Sequence, residues 1–214
     1  MILYGSSLSP FVRKVMAFCA EKDIAFDLKP TGIGDPDPGF RAASPFRKMP
    51  AIDDDGYLLA DSSAIIHYLE AKHPQPKLIP TDPKERGKAI WFDEFADTLF
   101  GACMGKLFFN RVVAPRFLGR DGDLEAADTA ERDELPPLLD YLEGIIGDDG
   151  YLVGGRLTIA DLAVSSPFAN LAHAGTALDP ARYPKLSSYV AGILARPSFA
   201  KSIEFEKDFL ARTA

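Results

Sequence analysis

The distribution of proline divides this chain of 214 residues into two parts with different sequence patterns. Residues 73–83 read His-Pro-Gln-Pro-Lys-Leu-Ile-Pro-Thr-Asp-Pro, a composition typical of a domain junction. Before this segment, short β-prone runs alternate with helical patterns, whereas after it no convincing strand pattern occurs. The sequence therefore predicts an α/β domain over residues 1–76, a linker over 77–83 and an all-helical domain over 84–214.

The first part has the predicted order β-α-β-α-β-β-α. Strands are expected at residues 1–4, at 25–29 and on either side of an Asp-Gly turn at 54–56, where two β-prone runs form a hairpin pattern. The first helix has an apolar face with the spacing i, i+3, i+4, i+7, formed by Val12, Val15, Met16 and Cys19. A helical turn at 40–43 and a helix capped by Asp61 and Ser62 complete this part.

The second part contains helical patterns only, expected at 83–117, 124–146, 158 onward, 184–195 and 197–210. Asp82 as N-cap, Pro83 at the first position and Glu85 three residues after the cap form a strong helix start. Bends are expected near Gly101 or Pro115, and at Pro136, Pro137 and Pro167, because proline removes a helical hydrogen bond.

The turn between the first strand and the first helix has the features of an anion site. Ser9 is a suitable N-cap, and Pro10 fits the first helical position, where its missing N–H has no cost. The turn directs unpaired backbone N–H groups and the positive end of a helix dipole to one place. Ser6, Ser7 and Ser9 add hydroxyls there, so a thiolate is one anion that this turn could hold.

Composition excludes several classes of function. A net charge of −7 and a pI near 5.0 argue against nucleic acid as a partner, because phosphate-binding surfaces need an excess of Lys and Arg. No apolar run approaches the ~20 residues of a membrane span, and residues 1–4 are too short for a signal peptide. Cys19 and Cys103 have neither zinc nor C-x-x-C spacing, and the histidines show no metal spacing. We expect a cytoplasmic protein with no metal and no membrane partner.

Four motifs, in this order and at these separations, resemble those of the cytosolic glutathione transferases, with a serine-type, bacterial-like pattern. They are Ser-Pro-Phe-x-Arg-Lys-Val after the first strand, Lys48-Met49-Pro50, Asp61-Ser62-Ser63-Ala64-Ile65 and Leu157-Thr158-Ile159-Ala160-Asp161. The resemblance covers essentially the whole chain. It implies a thioredoxin-like N-terminal domain, a C-terminal helical bundle, glutathione as co-substrate and a homodimer.

The resemblance also implies a role for each residue of the glutathione site. Met49, before a cis Pro50, would present its main chain to the cysteinyl unit like an added strand. Ser62 and the free N–H groups beside it suit the γ-glutamyl carboxylate, and Asp61 suits the ammonium. Lys48 would pair with the glycyl carboxylate. The alternatives are that Pro50 only begins an edge strand, that Asp61 and Ser62 only cap a helix, and that Lys48 is solvated.

The activating hydroxyl is predicted to be Ser9, ahead of Ser7 and Ser6, because Ser9 lies at the helix start and directly precedes Pro-Phe. Ser6-Ser7 resembles the pair in the class that isomerises maleylacetoacetate, but Leu8 and Pro10 stand where that class has Cys and Trp. All three serines could instead be turn formers. Thr158 and Asp161 are expected to form a structural capping box.

An apolar acceptor pocket is predicted between the two domains. Phe11, also assigned to the glutathione site, faces the long helix, whose stripe includes Phe100, Met104 and Phe108. Arg111 could favour an acceptor with a carboxylate. The alternatives are that the stripe belongs to the core and that Arg111 is solvated.

The sequence thus favours conjugation of glutathione to a small, mainly apolar electrophile. A glutathione-dependent isomerase or peroxidase and a non-catalytic interaction module are the alternatives.

Overall fold

A four-stranded mixed sheet lies within the first sixty residues of the computed structural model, which describes residues 1–213. Its elements and the adjoining helices are β1 Ile2–Gly5, α1 Pro10–Glu21, β2 Asp27–Pro30, α2 Pro38–Ala43, β3 Ala51–Asp54, β4 Tyr57–Ala60 and α3 Ser62–Lys72. The strand order is β2-β1-β3-β4, with β1 parallel to β2 and antiparallel to β3. The predicted element order and the Asp-Gly hairpin are confirmed.

Several predicted boundaries in this part are wrong, and β1 covers Ile2–Gly5 rather than residues 1–4. β2 begins at Asp27 rather than at residue 25 and includes Pro30, which an edge strand tolerates because its outer N–H positions have no partner strand. α2 begins two residues earlier than expected, since Asp37 caps it by accepting a hydrogen bond from Phe40 N at 2.8 Å.

The rest of the described chain is helical, as predicted. Its helices are α4 Pro83–Phe95, α5 Gly101–Phe108, α6 Ala114–Phe117, α7 Leu124–Thr129, α8 Leu135–Ile145, α9 Ile159–His173, α10 Pro184–Leu194 and α11 Pro197–Arg212. Residue 214, the end of the predicted second domain, lies outside the described residues. No helix within residues 1–213 is both long enough and apolar enough to cross a lipid bilayer.

Close to Gly101 and Pro115, where bends are expected in the long helix, the structure has π-helical turns. α4, α5 and α6 are continuous through the π turns Ala96–Phe100 and Phe109–Val113, and a third π turn, Ala130–Glu134, joins α7 to α8. The second and third turns lie just before Pro115 and Pro136, because a proline without an N–H leaves a carbonyl one turn earlier without its usual donor. α9 continues through Pro167 without interruption.

Helix α9 is the centre of the helical part and the main contact to the first part. All residues from Ile159 to Leu171 are buried. Its start is the predicted capping box, in which Asp161 Oδ2 accepts from Thr158 N at 2.8 Å. Such a box contributes about 0.5–2 kcal/mol per satisfied cap. α9 packs against α1, so the helix after the serine turn is supported by the other domain.

Candidate functional site

The serine turn, residues 5–10, connects β1 to α1 as the sequence predicts. Gly5 has a φ of +151°, and a Cβ atom there would lie 2.5 Å from Val12 Cγ2, so a side chain at this position would collide with α1. Ser9 is the N-cap of α1: its Oγ accepts from Val12 N at 3.5 Å, and Pro10 follows at the first helical position. Because Gly5 has no side chain, the turn can pack closely against Val12 of α1.

All three serine hydroxyls retain a proton to donate. Ser6 Oγ and Ser9 Oγ act only as acceptors, from Leu8 N and Val12 N respectively. Ser7 is buried, and its hydroxyl forms no hydrogen bond within residues 1–213. Each hydroxyl could therefore donate to an anion in the turn, and their hydrogen bonds alone do not choose among them.

The loop after α2 brings a second predicted segment next to the serine turn. The Met49–Pro50 peptide bond is cis, and a Cβ atom on Gly5 would lie 3.5 Å from Met49 Cβ. Within residues 1–213, neither the N–H nor the C=O of Met49 has a hydrogen-bond partner. Both groups are therefore available to an extended peptide. Lys48 is exposed, and its main chain is held by the hydroxyl of Ser44.

Asp61 and Ser62 are at the N-terminus of α3. Asp61 has a φ of +82°, an unusual value for a residue with a side chain, and its Oδ1 caps α3 by accepting from Ala64 N at 2.9 Å. Ser62 is buried, and the N–H groups of Ser62 and Ser63 have no partner within residues 1–213. Free N–H groups at a helix start can bind a carboxylate.

Three charged residues that the sequence motifs did not assign to the site lie beneath α3. Asp97, from the first π turn, accepts hydrogen bonds from Ser62 Oγ at 3.1 Å and from Ser63 Oγ at 3.2 Å. Lys14 Nζ lies 2.7 Å from both Asp97 and Asp93. Burial raises the pKa of Asp97, and Lys14 opposes that shift. Lys14 belongs to the motif Ser-Pro-Phe-x-Arg-Lys-Val, but no spacing in the sequence relates it to residue 97.

The predicted acceptor residues divide between the domain interface and the core. A Cβ atom on Gly101 would lie 3.6 Å from Phe11 Cζ, so Phe11 lies over the long helix as expected. Phe100, Met104 and Phe108 are all buried in the hydrophobic core, and Phe100 packs against Phe168 at 4.8 Å between ring centroids. This arrangement agrees with the alternative that the stripe belongs to the core.

Arg111 has partners of its own. Its guanidinium forms ion pairs with Asp128 and Glu131 and donates to Thr176 Oγ1 at 3.1 Å. The two carboxylates already neutralise the charge of this guanidinium. These contacts therefore do not support the prediction that Arg111 binds a carboxylate of the acceptor, which stays a prediction.

Neither cysteine of the chain is suited to be the nucleophile. Cys19 and Cys103 are free and buried. Burial raises the pKa of Cys19 to about 12 and that of Cys103 to about 11, so both thiols stay protonated near neutral pH. A thiolate acting in the serine turn must come from a bound molecule.

Two other features lie apart from this site. A surface cavity of about 530 Å³ is lined by residues of the helical part between 146 and 196 and by none of the predicted site residues. Within residues 1–213, no group of three or more His, Cys, Asp or Glu side chains is arranged to hold a metal ion.

The chain is similar to known proteins along most of its length. The family model "Glutathione S-transferase, N-terminal domain" matches residues 3–77, and "Glutathione S-transferase, C-terminal domain" matches residues 112–204. A glutathione S-transferase of Hyoscyamus muticus is 33% identical over 97% of this chain and 99% of its own. A probable maleylacetoacetate isomerase of Drosophila melanogaster is 31% identical over 86% of this chain and 74% of its own.

The fold matches solved structures as well. The crystal structure of glutathione transferase F7 from Populus trichocarpa has a TM-score of 0.82 and 26% identity, and the match covers 95% of this chain and 97% of that one. The thioredoxin-like domain followed by a helical domain is thereby confirmed. From the two domain matches and the full-length relative, this chain belongs to the glutathione S-transferase family and is a glutathione-dependent enzyme.

Proposed function

We propose that this glutathione transferase binds glutathione between the Met49–Pro50 loop, the start of α3 and the serine turn, and conjugates its sulfur to a small, mainly apolar electrophile. The observation that carries the proposal is that three sets of polar groups with unused hydrogen-bonding capacity lie on neighbouring segments. They are the Met49 main chain, the first N–H groups of α3 and the serine hydroxyls.

Each set suits one part of the tripeptide. The Met49 N–H and C=O can pair with the cysteinyl unit as a strand would. The N-terminus of α3 suits the γ-glutamyl carboxylate, toward which the Ser62 hydroxyl would turn its proton from Asp97, and the exposed Asp61 carboxylate suits the ammonium. Lys48 is exposed and can reach toward the glycyl carboxylate. These contacts direct the sulfur to the serine turn.

The turn can supply the free energy that ionises the thiol. Lowering a thiol pKa from ~8.5 by two units needs about 2.7 kcal/mol of preference for the thiolate. One hydrogen bond to a charged group provides about 1.5–3 kcal/mol. The N-terminus of α1 adds about 0.3–1 kcal/mol. We therefore assign the donor role to Ser9, with Ser7 and Ser6 as alternatives, and no covalent enzyme intermediate is needed.

Proximity completes the mechanism. The acceptor would lie against Phe11 at the domain interface, where it meets a sulfur already ionised and held in place. The thiolate attacks the electrophilic carbon and a carbon–sulfur bond forms. In a substitution, the leaving group then departs with the electron pair of the broken bond. In an addition, the developing carbanion instead takes a proton from solvent.

Isomerisation is a second candidate activity. It is favoured by the serine pair Ser6-Ser7 and by the relative named as a probable maleylacetoacetate isomerase. The two activities separate in one experiment: turnover of an aryl halide supports conjugation, whereas cis–trans conversion of maleylacetoacetate without net consumption of glutathione supports isomerisation. If neither substrate is turned over and calorimetry detects no binding of glutathione, the result would favour the non-catalytic interaction module.

Replacing Ser62 by alanine is expected to weaken glutathione binding. The variant loses a hydroxyl beside the γ-glutamyl carboxylate, and a hydrogen bond to a charged group contributes about 1.5–3 kcal/mol, so the Kd should rise about 10-fold or more. Isothermal titration calorimetry with glutathione measures this Kd.

Ser63→Ala is the matched control, because Ser63 also donates to Asp97 yet is outside the proposed contacts. Its Kd should stay within about 3-fold of the wild type. Equal Kd values for the wild type and Ser62→Ala would contradict the proposed position of the carboxylate.

A homodimer is the proposed assembly, and the cytoplasm, consistent with two free cysteines, is the proposed location. Phe46, in the loop before Met49, is 87% exposed, and Trp91 and Leu99 are exposed on the long helix. We propose that the partner subunit covers these three large apolar side chains, which are exposed in the single chain.

Phe46→Asp is therefore expected to convert a dimer of the 23.3 kDa chain into monomers, as measured by light scattering after size exclusion. Ile33→Asp, at an exposed apolar residue in another loop, should leave the dimer intact. A wild type that is monomeric, or a Phe46→Asp variant that stays dimeric, would refute this interface.

A further inference from the structure

Two carbonyl groups of the serine turn and its helix are held by α9, from the other domain. Asn170 Nδ2 donates to Leu8 O at 2.8 Å, and Ser166 Oγ donates to Pro10 O at 2.7 Å. Asn170 and Ser166 are one helical turn apart, and both are fully or almost fully buried. The segment on each side of Ser9 is thus fixed from behind by one face of α9.

Arg13 orients these two donors. Its Nη1 donates to Asn170 Oδ1 at 2.8 Å and to the Ser166 carbonyl at 2.7 Å. Because a guanidinium can only donate, Asn170 must turn its oxygen toward Arg13 and its NH₂ group toward Leu8. Glu206 of α11 pairs with Arg13 Nε and Nη2 at 3.0 and 2.7 Å, and His173 Nε2 lies 2.9 Å from Glu206.

These residues, Arg13, Ser166, Asn170, His173 and Glu206, are here called the Arg13 cluster. A buried ion pair is weak evidence for stability, since apolar residues of similar volume can hold two helices together as well. Apolar residues could not, however, hold two carbonyl groups in a fixed direction. The polar character of the cluster is therefore explained by the turn that it contacts.

The direction of those carbonyls determines which N–H groups face the pocket. In a trans peptide the C=O and the following N–H point in opposite directions. Because the Pro10 carbonyl accepts a hydrogen bond from Ser166, the Phe11 N–H of the same peptide points away from α9. This N–H has no hydrogen-bond partner within residues 1–213. With its carbonyl on Asn170, Leu8 directs the Ser9 N–H toward Ser6 O, at 2.9 Å, which closes the turn.

We propose that Ser166 and Asn170, oriented by Arg13, are positioning residues for thiol ionisation. They keep carbonyl oxygens away from the sulfur and keep the Phe11 N–H and the Ser9 hydroxyl toward it. The inference rests on the proposed function, because it assumes that the sulfur of glutathione lies in the serine turn. It adds that residues of the helical domain set the pKa of the bound thiol without touching it.

The test compares two neighbouring buried serines. Ser166→Ala removes the donor to Pro10, whereas Ser165→Ala removes a buried hydroxyl that has no hydrogen-bond partner within residues 1–213. The ultraviolet absorbance of the thiolate in the enzyme–glutathione complex, titrated with pH, reports the pKa of the bound thiol. Ser166→Ala should raise that pKa by about one unit, so that kcat/KM near neutral pH falls about 10-fold. The KM for glutathione should change less than 2-fold, and Ser165→Ala should match the wild type.

Asn170→Asp is the second variant. It keeps the side-chain volume and an acceptor for Arg13 but has no N–H for Leu8, so it should raise the thiol pKa in the same direction. Thermal unfolding identifies the variants that fold. A folded Ser166→Ala or Asn170→Asp that keeps the wild-type thiol pKa overturns the inference, as does an equal shift in Ser165→Ala.

Ser9→Ala in the same titration separates this inference from the proposed function. If Ser9→Ala raises the thiol pKa and the α9 variants do not, the serine turn holds the sulfur but the Arg13 cluster does not position it. If neither the variants of the three turn serines nor the α9 variants shift the pKa, the sulfur lies elsewhere and the proposed function fails with the inference.

Discussion

Ser9→Ala is expected to lower kcat/KM for an aryl halide about 10- to 100-fold at pH 7. The loss of one hydrogen bond to the thiolate, worth about 1.5–3 kcal/mol, raises the pKa of bound glutathione by one to two units. Most of the bound thiol is then protonated at neutral pH, and the thiol is a poor nucleophile. Steady-state kinetics measure the effect.

The pH dependence distinguishes lost ionisation from lost binding. Above pH 9 the thiol ionises without help, so the difference between Ser9→Ala and the wild type should shrink to a few-fold, while glutathione binding stays near the wild-type value. Ser6→Ala and Ser7→Ala are the matched controls and should retain kcat/KM within about 3-fold. If Ser9→Ala turns over normally while Ser7→Ala or Ser6→Ala loses activity, the hydroxyl that donates to the thiolate belongs to Ser7 or Ser6 instead.

Glu206→Gln is expected to lower the free energy of unfolding by about 3–5 kcal/mol, the range for breaking a buried ion pair on one side only. Both Glu206 and Arg13 are 0% exposed, so the substitution leaves a buried guanidinium without its counter-charge. Chemical denaturation with urea, followed by circular dichroism, measures the change.

The pH dependence of stability provides a further check on Glu206. Burial alone would raise the pKa of Glu206, but the hydrogen bond with His173 and the charge of Arg13 outweigh it and hold the pKa below its ordinary value. A lowered pKa in the folded state means that the stabilisation is present above the unfolded-state value of 4.5 and is lost as the pH falls through the folded-state value. Glu206→Gln should therefore remove part of the acid sensitivity of the wild type.

Two variants control for this prediction. Glu204→Gln, on the exposed face of the same helix, should change stability by less than about 0.5 kcal/mol. The double variant Arg13→Met with Glu206→Met removes both charges and should recover much of the lost stability. A stability equal to the wild type in Glu206→Gln would show that the pair is not coupled to folding.

Local sequence patterns were sufficient for four of the helix starts, although the cap of α2 at Asp37 was missed. Ser9, Asp61, Asp82 and Asp161 each accept hydrogen bonds from main-chain N–H groups within three residues. Such contacts depend on spacing alone, so a motif of four or five residues specifies them. The Asp-Gly hairpin is predictable for the same reason, and the prolines predicted where the long helices are irregular but not that the irregularities are π turns.

The acceptor pocket shows where local patterns are insufficient. Phe100, Met104 and Phe108 have the spacing of one helical face, and that spacing is the same for a face that packs in the core and for one that lines a cleft. Arg111 is likewise an unremarkable charge in the sequence until the fold brings Asp128 and Glu131 to it. Burial and pairing of these side chains depend on which elements lie opposite them.

By itself, the sequence determined the two-part fold, the strand–turn–helix with three serines and the helix start at Asp61, because each follows from interactions between near neighbours. Only the tertiary structure decided that Lys14 meets Asp97 beneath Ser62 and that Arg13 meets Glu206 behind the serine turn. Adjacent Arg13 and Lys14 resemble a solvated pair of charges in the sequence. They are buried because α1 packs between α3 and α9, and a charge removed from water needs partners that only distant segments can supply.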